Sequence, residues 1–123
     1  MDNQIRAFIR SVFPSVWALE LLILLAERPD RAIPRDELVA LLRASDSVVI
    51  NCGSALVTAG LAVAEDENGL RYAPASDALA ALADKARELY RSRPDAVRRL
   101  IVARSSGGLD AFADAFRLRK DEE

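Results

Sequence analysis

The sequence predicts a mainly α-helical fold with one small β-hairpin, and three observations carry that prediction. Apolar residues recur at three- and four-residue spacing through most of the chain. One short stretch, around Asn68-Gly69, switches to alternation between apolar and other residues. Glycine and proline are sparse, five of each, and every proline falls between periodic segments.

In chain order, Ile5, Phe8, Ile9, Val12 and Phe13 mark a first helix that Pro14 interrupts. Ser15 is placed to cap a second, from Val16 to about Glu27. That helix is apolar on nearly every side through Trp17, Leu19, Leu21, Leu22, Leu24 and Leu25, so it should be central and covered by neighbours. Arg28-Pro29-Asp30-Arg31 stops it. Pro34 suits the first turn of a short helix from Arg35 to Arg43, where Asp36 and Glu37 complement the helix dipole. The polar break Ala44-Ser45-Asp46-Ser47 then caps a helix from Asp46 to Ala59 that ends at Gly60, a residue suited to a left-handed stop.

Leu61 and Val63 next alternate with Ala62 and Ala64, and Leu70-Arg71-Tyr72 follows Asn68-Gly69. Asn-Gly between alternating residues is a hairpin signal, with a plain loop as the alternative. After Pro74, Ser76 or Asp77 starts a helix carrying Leu79, Leu82, Ala86 and Leu89. Pro94 breaks it, and Asp95 to Arg104 continues as a short helix with Val97, Leu100 and Ile101 inward. Ser105-Ser106-Gly107-Gly108 reads as a joint before a last amphipathic helix with Leu109, Phe112, Ala113 and Phe116 on one stripe.

Composition narrows the function. A length of 123 residues fits one domain, 1–123, and 51% apolar residues is enough for a core without staples. There is no histidine, which removes the usual general base and metal-binding imidazole. Cys52 is the single cysteine and reads as a small buried hydrophobe; alone it makes neither an internal disulfide nor a metal cage. No glycine-rich phosphate loop and no carboxylate pair in an apolar segment occurs. The sequence therefore points to no enzyme, no cofactor and no metal. It also carries no signal-peptide pattern and no apolar run near the roughly 20 residues that span a bilayer, so the expected location is the cytoplasm, with no membrane.

The order helix, helix, turn, helix, hairpin over residues 15–74 resembles the winged helix-turn-helix transcription regulators, of the broad kind that includes the MarR and PadR families. The resemblance rests on Ile33-Pro34-Arg35-Asp36-Glu37-Leu38, on the turn Leu42-Arg43-Ala44-Ser45-Asp46-Ser47-Val48-Val49, and on Leu56-Val57-Thr58-Ala59-Gly60-Leu61. It implies a winged helix-turn-helix core flanked by an N-terminal helix (1–14) and C-terminal helices (75–123). It also implies double-stranded DNA as the partner, and a homodimer paired through helices outside the winged unit.

Two faces of the Asp46–Ala59 helix fit that scheme. Val49, Cys52, Leu56 and Ala59 form one side suited to the core. Ser47, Asn51, Ser54 and Thr58 fall on another and are small hydrogen-bonding residues, the recognition-helix candidates. Asn51 has the amide that reads adenine; the bland reading of the same stripe is a solvated face. Arg35, Arg43 and Arg71 are the candidates for contact with the DNA backbone. Other features oppose tight DNA binding: Asp46 stands in the first turn, the helix has no Lys or Arg, and Glu65-Asp66-Glu67 at the wing tip would repel phosphates.

Positive charge gathers instead between Lys85 and Arg104, where seven basic residues face two acidic ones for a local +5. That stretch is either a solvated face, a second nucleic-acid contact or a docking face for an acidic protein. Ile5, Phe8, Ile9 and Val12, with Leu109, Phe112 and Phe116, are the candidates for the homodimer interface, unless they cover the chain's own core. A protein-interaction module built on the winged fold, with little or no DNA binding, is the second functional reading; Asp46, the acidic wing and Ile50 motivate it.

Overall fold

A computed structural model of the chain describes residues 3–65 and 69–102. It is mainly helical: α1 (Asn3–Val12), α2 (Val16–Glu27), α3 (Arg35–Leu42), α4 (Asp46–Thr58), β1 (Ala62–Glu65), β2 (Gly69–Tyr72) and α5 (Asp77–Ser92), then a helix α6 over 94–102. This is the helix-rich winged-helix arrangement expected, with flanking helices on both sides of the core. No single helix among the described residues is long and apolar enough to cross a membrane.

The core is organised by α2. Leu19, Leu21, Leu22 and Leu25 are fully buried, and the helix packs on α4, α3 and β2. Burying each such leucine contributes about 1.5–3 kcal/mol, so this helix anchors everything around it. One expectation needs correcting at its start. Ser15 sits at the N-cap but makes no side-chain cap hydrogen bond; its Oγ lies 3.6 Å from Cys52 Sγ instead. The hydroxyl is used between helices, tying the start of α2 to the middle of α4.

α3 and α4 meet at 106° across residues 43–45, an angle typical of helix-turn-helix pairs. Arg43 takes the left-handed conformation at the end of α3 (φ 56°), which turns the chain at once. Ser45 then caps α4, its Oγ accepting from Val48 N at 3.2 Å. At the far end Gly60 (φ 81°) stops α4, where glycine adopts that φ without a Cβ clash.

The hairpin forms in antiparallel register, with Ala62 opposite Tyr72 and Glu65 opposite Gly69. Its inner face belongs to Ala62, Leu70 and Tyr72, whereas Val63 faces out. Leu61 is buried in the turn before the strand, where its N–H donates to Leu56 O. The turn at Gly60 therefore sets the phase so that the apolar Val63 lies on the open side. A contact that sequence periodicity did not reveal completes the wing: Ile33 bridges Leu70, with hydrogen bonds of 2.8 and 3.1 Å in both directions.

Of the residues expected at a dimer interface, Ile5, Phe8 and Ile9 are buried in the chain's own core. α1 packs on α5, and the Phe8 ring meets Phe13 edge-on at 5.8 Å. Those three side chains are thus already covered and offer no free stripe to a second subunit; Val12 is half-buried against the same core. Leu109, Phe112 and Phe116 lie outside the described residues.

Candidate functional site

α4 is built with one dry side and one open side. At 100° per residue, Val49, Cys52, Gly53 and Leu56 fall together and are buried. Gly53 lets Leu70 pack close, since a Cβ there would stand 2.7 Å from Leu70 Cδ1 and the end of that side chain would have to shift. Burial pushes the Cys52 thiol up from its ordinary pKa, against a smaller lowering by the Ser15 contact. A buried, protonated thiol packs and does not attack.

The open side carries Ser47, Ile50, Asn51, Ser54, Val57 and Thr58, all exposed. The four small polar residues read from the sequence are therefore presented together. Ile50 and Val57, 48% and 39% exposed, run along one edge of the face. Asn51 and Thr58 run along the other, with Ser47 and Ser54 between them. Ile50 was legible from the sequence; Val57 was hidden inside an apolar run and gained its role only from the helix phase.

The electrostatics around this face are decided by pairs between elements. Arg35, at the start of α3, has its Nε 3.8 Å from Asp46 Oδ1 at the start of α4. Arg71 Nε donates to Glu65 Oε2 at 2.6 Å, a diagonal pair on the outer face of the hairpin. Arg43 is exposed at its left-handed position and has no carboxylate partner among the described residues. Two of the three arginines expected on phosphates are thus already matched to carboxylates. Over residues 35–72 the sequence carries three arginines against six carboxylates, a net −3.

The basic stretch is partly neutralised too: Arg87 pairs with Asp84, Arg91 with Glu88 and Arg98 with Asp95. Each is an exposed pair within one helix, of the kind that contributes about 0–1 kcal/mol. No group of three or more metal-ligating side chains occurs among the described residues. Set against protein-family models, curated proteins and solved structures, the chain matches none of them.

Proposed function

We propose that this winged helix is an interaction module that docks a protein partner through the open face of α4. The observation that supports it most is the pairing of Ile50 and Val57 on an outward helix edge beside small hydrogen-bonding residues, with no cation on the helix. A half-apolar face whose single charge, Asp46 in the first turn, already faces Arg35 loses little on desolvation, and apolar anchors next to polar groups suit the centre of a protein interface. DNA selects the opposite: phosphate contacts from Lys and Arg supply most of the affinity. A partner retained in stoichiometric amount by the wild-type chain and lost with Ile50→Glu supports the reading. Retention unchanged by that substitution counts against it.

A second reading, a DNA-binding transcription regulator, is favoured by Asn51, Ser47, Ser54 and Thr58 standing together outward while Arg43 lies unpaired at the adjoining turn. Pairing of two subunits would double such weak half-site contacts. A salt-sensitive gel shift with promoter DNA, weakened by Asn51→Ala and more by Arg71→Glu, would establish this reading and displace the first. Absence of any shift at low salt would remove it.

A further inference from the structure

We infer that the partner of the open α4 face is a second copy of this chain, packed antiparallel through α4 about a twofold axis at the level of residue 52. The inference rests on the reading of that face as a docking surface. Ser47, Ile50, Ser54 and Val57 follow one another at steps of three, four and three residues, and all four are exposed. That spacing is the inner seam of a packed pair of helices. Along it small residues alternate with large ones.

The alternation is complementary to its own reverse. Turning one helix end for end converts small, large, small, large into large, small, large, small. Ser47 then meets Val57 of the second copy and Ile50 meets Ser54, and the twofold axis repeats both contacts. Each aliphatic side chain enters the space left by a serine, which is how two surfaces reach the packing density of an interior. A parallel pair would set Ile50 on Ile50 and Ser47 on Ser47, with large against large and small against small.

Charge selects the same direction. Asp46 is the one charged residue of α4. A parallel pair would bring the two copies of Asp46 together, along with the two positive ends of the helix dipoles. The antiparallel pair separates them by about 18 Å along the axis, beyond a screening length of about 8–10 Å. It also brings Arg43, exposed at the end of α3, beside the C-terminal end of the second α4, whose last turn has no basic residue of its own. Asn51 is exposed next to the seam and one residue from the axis level, so its amide can donate to and accept from its symmetry mate.

The test uses the full chain. Sedimentation from micromolar to millimolar concentration should show a monomer passing into a dimer for the wild type. Ile50→Glu and Ser54→Glu should each remain monomeric with an unchanged far-ultraviolet spectrum. Direction is read by disulfide formation in a Cys52→Ser background. Ser47→Cys mixed with Val57→Cys should give mainly the mixed disulfide, because in the antiparallel pair two copies of residue 47 stand about 15 Å apart along the axis. Homodisulfides of Ser47→Cys at equal or higher yield would overturn the proposal, as would a dimer that survives both glutamate substitutions. A wild type monomeric at every concentration would overturn it too, while leaving α4 open to a different protein, which the retention assay with Ile50→Glu judges separately.

Discussion

Arg35 and Asp46, the first residues of α3 and α4, face each other with Nε and Oδ1 3.8 Å apart. The pair spans the helix-turn-helix junction at the point where a nucleic-acid reader would need an unmatched cation. It is half-exposed, so it contributes at most about 1 kcal/mol to stability. Its effect on the charge of the surface is larger than its effect on the fold.

Removing the carboxylates should therefore change binding and not stability. The double variant Asp46→Asn, Glu65→Gln is expected to unfold within about 0.5 kcal/mol of wild type. It should gain non-specific affinity for duplex DNA at low salt. For each phosphate engaged, the slope of log affinity against log salt should steepen by about 0.9. Fluorescence anisotropy across a salt series measures this, and an unchanged affinity would show that Arg35 and Arg71 do not face a nucleic acid.

Ile50→Glu and Val57→Glu test the apolar edge of α4. Both positions are exposed, so stability should again change by about 0.5 kcal/mol or less. Affinity for the proposed protein partner should fall at least about tenfold, equivalent to about 1.4 kcal/mol. Calorimetric titration with the isolated partner reads the loss, and urea unfolding confirms that the fold is intact.

The two glycines in and just after α4 should respond differently to alanine. Gly60 holds φ 81°, so Gly60→Ala is expected to cost about 1 kcal/mol. At Gly53 the new methyl meets only the far end of the Leu70 side chain. A rotamer adjustment there, costing about 0.5–1.5 kcal/mol, is offset by about 1 kcal/mol of helix propensity. Urea midpoints should place Gly53→Ala near wild type and Gly60→Ala below it.

Leu22 is fully buried on the helix against which α3, α4 and β2 pack. Leu22→Ala should cost about 2–5 kcal/mol through lost transfer energy and the cavity left behind. Trp17→Ala, at a position 40% exposed on the same helix, should cost less. Chemical denaturation of the two variants compares them directly.

Stability should fall on the alkaline side. Burial raises the Cys52 thiol from its reference value of 9.0. Burial, followed by the hydrogen bond to Glu20, raises the Tyr90 hydroxyl from 10.0. In each case the protonated form is favoured in the folded chain. The contribution is complete below the unfolded value and is lost as pH rises through the folded one. Unfolding midpoints should thus decline from about pH 9 upward, and Cys52→Ser should flatten the first part of that decline.

Helix positions were legible because each depends on neighbours three and four residues away. Val16–Glu27, the helix start at Asp46 and the capping Ser76 all stand where periodicity and cap chemistry put them. The two faces of α4 were legible for the same reason: the helix phase alone separates Cys52 and Leu56 from Asn51 and Ser54. The hairpin followed from local alternation, although the Gly60 turn, not the alternation, decided that Val63 faces out.

Relations between segments distant in sequence had no such signature. Nothing local couples Arg35 to Asp46, Ser15 to Cys52, or Ile33 to Leu70; each arises when α2 is covered from several sides at once. The stripe Ile5, Phe8, Ile9 shows the limit most clearly. An amphipathic helix states that it will bury one side, and only packing chooses what covers it. Here α5 and the core do so, because burial within the same chain carries no cost of bringing a second molecule to the surface.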